Sequence, residues 1–446
     1  MYTKISIKQI IPVGLMLFAL FFGAGNMIFP PFLAQQAGSN IWAAVIGFLV
    51  TGVGLPLLGI IAISRAGDLQ ILASRIHPIF AVAFTVVLYL VIGPLFAIPR
   101  TSTVSFEIGV VPFLPEGSAK SGIALLIFTI LYFAITLWLS LNPTKIVDRV
   151  GKILTPALLI VLAIFAVKSF ITPMGGFNPP NEVYANGSFY KGFLEGYLTM
   201  DALASLVFGS IVVTSIKGFG VTNKNTVTKL CITAGLIAAA ALALVYISLA
   251  WIGGTSTDII GVQSNGAAIL SAAATHLFGS LGAVILALAI LFACLTTAIG
   301  LITSCSQYFS TLIPSISYKK LAIIFSVFSA VIANVGLSQL ISFSVPVLVF
   351  IYPLAIMLMI LSFTHKLFHG YTSVYVCAII PTGIIGIIDG LNAAGANLSA
   401  ITPTLSRLFP FFDQGIGWLV PGIIGAIIGY ILAILIGESK KVLTTN

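Results

Sequence analysis

Charge is scarce in this chain. Of 446 residues, 7% are Asp, Glu, Lys or Arg, against about 25% in an ordinary soluble domain. No charged residue occurs between Lys8 and Arg65. With 59% apolar residues and a mean hydropathy of +1.16, the deficit excludes a soluble globule and points to an integral membrane protein. Strict apolar/polar alternation is missing as well, which argues against a β-barrel. The apolar runs are continuous and long enough for helices to cross about 30 Å of hydrocarbon. Cysteine is rare: Cys231, Cys294, Cys305 and Cys377 all fall inside or at the ends of apolar segments. None lies in an outer loop, so free thiols are expected. No Gly-x-x-x-x-Gly-Lys-Ser/Thr loop occurs, so nothing supports ATP drive. The apolar runs hold no paired aspartates and no Ser-Lys dyad, so an enzyme is not expected. Nor are there the charged or carbonyl rings of a channel.

What is present is an all-α pattern of about 12 transmembrane helices. Spans are expected near 9–33, 41–64, 80–106, 122–141, 147–170, 193–215, 228–252, 279–306, 319–341, 344–364, 373–391 and 416–437. The first is read as a span and not a cleaved signal, since it is long and lacks a small-residue cleavage site. With both termini in the cytoplasm, the inner side holds Lys4, Lys8, Arg65, Arg75, Lys145, Arg149, Lys152, Lys217, Lys224, Lys229, Lys319, Lys320, Lys366, Lys440 and Lys441. The outer side holds Lys120, Lys168, Lys191 and Arg407. That asymmetry follows the positive-inside rule and suits an even span count in a cell (plasma) membrane. The net charge of +9 is spread through short loops and does not imply nucleic acid.

Two spans are interrupted. Residues 21–30, Phe-Phe-Gly-Ala-Gly-Asn-Met-Ile-Phe-Pro, invite an unwound turn at Gly23, Ala24, Gly25 and Asn26, with Pro30 and Pro31 expected to end the second half-helix. Span 6 carries Gly196, Thr199 and Asp201 in mid-run. Hydrocarbon leaves a freed backbone group unsatisfied, so a spanning helix is not broken without reason. Span 1 enters from inside and span 6 from outside. Paired interruptions in oppositely oriented halves point to a midplane binding site. The organisation expected is a cytoplasmic N-terminus 1–8, a repeat 9–170, an outer loop 171–192, an inverted repeat 193–364, two further spans in 365–437 and a cytoplasmic C-terminus 438–446, with no soluble domain at either end.

Half-helix N-termini suit a carboxylate, and freed carbonyls suit an ammonium group or Na⁺. A site offering both suits a zwitterion, so an amino acid is the natural substrate. Phe18, Phe22, Ile28 and Phe208 would line an uncharged pocket, which favours an aliphatic side chain. The residues expected at the substrate are Phe22, Gly23, Ala24, Gly25, Asn26, Thr199, Asp201 and Phe208. In span 8, Ala293, Thr296 and Thr297 share one helix face. Two hydroxyls and a carbonyl there, with carbonyls of the broken span 1, offer the neutral oxygen set a hard cation takes. The bland alternative is hydroxyls bonded back to their own helix.

The run Gly23-Ala24-Gly25-Asn26-Met27-Ile28-Phe29-Pro30-Pro31, followed by Gln35-Gln36-Ala37-Gly38, closely resembles the branched-chain amino acid:cation symporter family (the BrnQ type). Residues 93–101, Gly-Pro-Leu-Phe-Ala-Ile-Pro-Arg-Thr, and 196–203, Gly-Tyr-Leu-Thr-Met-Asp-Ala-Leu, add to it. The resemblance covers nearly the whole chain. It implies a LeuT-like fold with a 5+5 inverted repeat, broken helices 1 and 6, and two extra helices. It also implies Na⁺-coupled uptake of leucine, isoleucine and valine. Carried over from that fold, the Na⁺ site would join the carbonyls of Ala19 and Phe22 to Ala293, Thr296 and Thr297. A proton-coupled amino acid or amine carrier, with Asp201 or Glu107 titrating, is the other reading within the class. A channel or an intramembrane enzyme is the remote one.

Arg100 and Asp201 are the most deeply placed charges, and Glu107 lies two helical turns from Arg100. A lone charge at the bilayer centre costs at least about 2.5–3.5 kcal/mol. Arg100 is therefore expected to pair with Asp201 or Glu107, as a structural lock, a gate or a proton-linked switch. Asp389 is read as interfacial. His365 and His369, four apart beside Lys366, are read as a solvated cytoplasmic face.

Overall fold

The computed structural model describes residues 7–115, 122–141 and 143–438. Lys4, Lys120, Lys440 and Lys441, with most of the expected terminal segments 1–8 and 438–446, lie outside the described residues. Every regular element among those described is helical.

Among the described residues, seven helices are long and apolar enough to cross a membrane: Ala24–Ala66, Pro78–Phe113, Ile123–Ser140, Lys224–Gly254, Gly266–Leu312, Leu337–Thr364 and Thr372–Ala393. An eighth is counted if Ser188–Thr199 and Asp201–Lys217 form one broken span. Gln9–Phe21, Pro156–Ile171 and Leu419–Leu435 are apolar but shorter. The expected first span is divided at residues 22 and 23. Its second half runs on, through a tight turn at Gly38–Asn40, into the helices that end at Ala66. Pro30 and Pro31 do not end that second half, which extends from Ala24 to Ala37. A proline inside a helix removes one N–H, so the carbonyls of Asn26 and Met27 receive no backbone bond from residues 30 and 31. A helix buried on most of its surface tolerates that loss because neighbouring elements hold it.

The chain packs into two units, each drawing on both halves of the sequence: residues 1–53, 89–200 and 233–342, and residues 54–88, 201–232 and 343–446. In the first, glycines bring backbones together. A side chain on Gly192 would overlap the Ala44 carbonyl, one on Gly253 the Pro31 carbonyl, and one on Gly266 the Ile28 carbonyl. Helix Ala24–Ala37 is thus met at close range by two other helices along one face. In the second unit, Gly59 meets Ser205, Gly209 meets Ile63, and Gly425 and Gly429 lie on the carbonyls of Cys377 and Ser373. Small residues at contacts are how helices associate where lipid removes the hydrophobic drive.

Two wider turns of helix, Val50–Gly54 and Val91–Leu95, interrupt the regular winding. The second includes Gly93, with non-helical φ −104 and ψ −122, and Pro94. Such single-turn widenings cluster at functional sites, and this one leads directly into the helix Ala97–Gly109 that bears Arg100.

Candidate functional site

The site in the first unit grows from the break after Phe21. The first helix ends there, and the Phe22 N–H still reaches the Phe18 carbonyl at 2.7 Å. Gly23 is extended, with φ −127 and ψ −158, and the helix restarts at Ala24. The Asn26 side chain folds back to accept the Gly23 N–H at 3.1 Å. This is the reach of a residue at the third helical position back to the cap, and it satisfies one orphan donor. The Asn26 amide in turn donates to the Tyr246 hydroxyl. Asn26 and Tyr246 are both buried, so each partner spares the other a desolvated polar group. Phe18 and Phe22 stack with ring centroids 5.0 Å apart on the approach to the break.

Facing the break is helix Gly266–Leu312. The Thr297 hydroxyl lies 3.4 Å from the Phe22 carbonyl and 3.1 Å from the Ala293 carbonyl. The Thr296 hydroxyl lies 2.8 Å from the same Ala293 carbonyl. Thr297 also abuts Gly23, where a Cβ would stand 3.0 Å from the threonine methyl. Four neutral oxygens, from Phe22, Ala293, Thr296 and Thr297, are therefore gathered at one place. Each hydroxyl keeps a bond to its own helix, so the bland arrangement and the oxygen cluster coexist. Ala19 sits half-buried in the last turn of the first helix.

The second interruption is a single residue. A tight turn over Gly196–Thr199 ends at Met200, which is left-handed at φ 65, and the next helix starts at Asp201. A non-glycine residue in that conformation costs about 1–3 kcal/mol and persists where its surroundings hold it. Arg100 holds the carbonyls just before it. Its Nη1 donates to the Leu198 carbonyl at 2.6 Å and its Nη2 to the Thr199 carbonyl at 3.4 Å. The guanidinium lies 5.3 Å from the Phe29 ring centroid. The Thr199 hydroxyl turns back to the Gly196 carbonyl at 2.9 Å.

Of the remaining expected residues, Ala24 and Gly25 are buried beside the first break, and Glu107 is half-buried in the helix of Arg100. Asp201 is buried at the first position of helix Asp201–Lys217 in the second unit, where a carboxylate suits the positive end of the helix dipole. Phe208 is buried in the same helix. Sequence reasoning missed Tyr246 and Phe29. Tyr246 carried a signal, a lone phenol in the apolar run 234–250.

The expectation for His365 is overturned as well. His365 is not solvated: it is 6% exposed in the second unit, with Nδ1 2.8 Å from the Tyr375 hydroxyl and 3.5 Å from Arg75 Nη1. Arg75 Nη1 also donates to that hydroxyl at 3.1 Å. Burial first, and the Arg75 charge second, push the His365 pKa down to about 4. His369 is exposed as expected.

A discontinuous helix, buried among apolar helices and faced by a hydroxyl pair, is the arrangement that membrane transport proteins place around a midplane site. The backbone agrees with solved transporters at low identity. Mhp1, a nucleobase-cation-symport-1 family transporter in a closed conformation with bromovinylhydantoin bound, matches with a TM-score of 0.59 and 14% identity, covering 92% of this chain and 96% of that one. MhsT in complex with L-phenylalanine matches with a TM-score of 0.57 and 17% identity, covering 95% and 98%. These likenesses establish the fold.

The particular family follows from sequence. The profile described as "Branched-chain amino acid transport protein" matches residues 6–436, and the chain belongs to that family. It is 54% identical to the branched-chain amino acid permease BraB of Bacillus subtilis (strain 168), over 99% of both chains. It is 45% identical to the branched-chain amino acid transport system 2 carrier protein of Pseudomonas aeruginosa, over 97% of this chain and 98% of the relative. It is 41% identical to the branched-chain amino acid permease BrnQ of Escherichia coli (strain K12), over 95% of both.

Proposed function

We propose that this protein is a secondary symporter of the plasma membrane that takes up leucine, isoleucine and valine with Na⁺ by alternating access. The observation that carries the reading is the break at Phe22–Gly23 set against Thr296 and Thr297. The substrate carboxylate would meet the N-terminal amides of helix Ala24–Ala37, where the dipole is positive. Its aliphatic side chain would lie against Phe18 and Phe22. The Na⁺ travels as a co-substrate. The oxygens of Phe22, Ala293, Thr296 and Thr297 would hold it, and they fit a hard monovalent cation because all are neutral and each lies within hydrogen-bonding distance of at least one other. The basic-residue asymmetry supports a topology with both termini in the cytoplasm.

Purified protein in liposomes tests this, with radiolabelled leucine and an imposed Na⁺ gradient, then an imposed pH gradient. Na⁺-driven accumulation that isoleucine and valine compete away supports the symporter. Accumulation under the pH gradient alone would move the coupling to a carboxylate such as Asp201 or Glu107 and overturn the Na⁺ assignment. Leucine accumulation under neither gradient would overturn the substrate.

A further inference from the structure

The Arg100 side chain touches both helix breaks. It lies in helix Ala97–Gly109 and is 3% exposed. One edge of its guanidinium donates to the carbonyls of Leu198 and Thr199. In an unbroken helix those carbonyls would accept from N–H groups four residues on. The left-handed turn at Met200 makes them the carbonyl end of a half-helix, which carries partial negative charge. The same Nη2 also lies against the backbone just after the first break: a Cβ built on Gly25 would stand 2.6 Å from Nη2 and 3.0 Å from Cζ. Phe29, one turn further along the restarted helix, offers its ring to the same cation.

We infer that Arg100 is a positioning residue for the substrate site, a cation built into the chain that ties the carbonyl end of segment 196–199, just before the second break, to the backbone of Gly25 in the first turn of the helix restarted after the first break. The inference rests on reading the first break as the substrate site. Freed carbonyls at such a break are ready ligands for a mobile cation. Here the cation is covalently part of the protein, so these two carbonyls are held without an exchangeable ion. Arginine suits the place and lysine does not. A planar guanidinium presents several donors in a fixed fork and lies flat against an aromatic ring and a glycine, whereas an ammonium is a strongly hydrated point charge. Charge-assisted bonds to the carbonyls offset the cost of a charge held away from water. Gly25 has its own reason in this geometry: any side chain there occupies the space of Nη2. Residues 25 and 100 are therefore a matched pair, distant in sequence and coupled in space.

Equilibrium binding of radiolabelled leucine to purified, monodisperse protein in NaCl tests the inference, together with the KM and maximal rate of uptake in liposomes. Arg100→Lys is expected to raise the leucine Kd and KM at least tenfold. The Na⁺ concentration for half-maximal binding should stay within about twofold, since Thr296 and Thr297 are untouched. Arg100→Gln is expected to be worse than Arg100→Lys, and a purely structural role would not give that order in affinity. Gly25→Ala displaces the guanidinium without removing it, so it serves where the Arg100 variants fail to fold. It should raise the Kd comparably, and adding Arg100→Lys to it should cost less than in the wild-type background. Wild-type leucine affinity in folded Arg100→Lys, or in Gly25→Ala, overturns the inference and leaves the symporter reading standing. Failure of the wild-type protein to bind leucine, isoleucine or valine overturns both.

Discussion

One hydroxyl separates a cation site from a helix contact. Thr297 lies over the Phe22 carbonyl, so Thr297→Val, which keeps the shape and removes the oxygen, should shift the Na⁺ dependence of uptake upward by roughly tenfold, the effect of about 1.4 kcal/mol. Thr297→Ser should stay near wild type. A Na⁺ titration of initial uptake rates checks both, and wild-type Na⁺ dependence in Thr297→Val would remove the residue from the ion site. At His365 the prediction concerns pH. The folded pKa of about 4 lies below the ordinary 6.5, so the unfolded chain binds the extra proton first. Stability contributed by this group is complete above about pH 6.5 and is lost as pH falls through the window toward 4. Thermal melts between pH 7 and pH 4 should show the loss, and His365→Gln should flatten it. Legibility at this scale was uneven. Asn26 and Thr297 stood out because polar residues in an apolar run are conspicuous. The burial of His365 did not, because a histidine near the end of a span looks the same whether water or Tyr375 faces it.

At the scale of elements, breaks were easier to read than continuations. Gly23 marked the first interruption because glycine is the cheapest place to leave the helix, but Ala24, Gly25 and Asn26, expected to unwind with it, lie in the restarted helix, whose first turn Asn26 caps through the Gly23 N–H. Pro30 and Pro31 misled for a physical reason: proline removes a bond but not the packing that holds a buried helix, and Gly253 and Gly266 bring two other helices against this one. The last helix, Leu419–Leu435, is tied to its partner by a contact no pattern announces. The Glu438 carboxylate accepts the N–H groups of Thr372 and Ser373 at 2.6 and 3.2 Å and the Ser373 hydroxyl at 2.6 Å. It thus caps the N-terminus of helix Thr372–Ala393 from a distant stretch of chain, where negative charge is favoured. Glu438→Ala should destabilise by about 0.5–2 kcal/mol, the usual cost of losing a cap. A thermal melt of the detergent-purified protein should fall by about 1–4 °C. An unchanged melt would mean water replaces the carboxylate at no cost.

For the whole molecule, the orientation is the testable quantity. The basic residues predict both termini in the cytoplasm. A fluorescent protein fused after Asn446 should fluoresce in cells, and a reporter active only outside the cytoplasm should be silent at the same fusion point; the reverse pair would invert the topology. Membrane class and the neighbourhood of each helix break were determined by the sequence alone, while the residues that leave the helix, Phe22 with Gly23 and Met200, were not. The reason is that hydrocarbon imposes its demands locally: long apolar runs, few charges, and glycine or polar residues close to where the backbone departs from a helix. Which groups meet at those breaks was decided only by the tertiary structure. Arg100 reaches Leu198 and Thr199, Asn26 reaches Tyr246, and Thr297 reaches Phe22, each across a long stretch of chain. A local pattern can show that a buried polar group needs a partner, but the partner is chosen by how the helices pack.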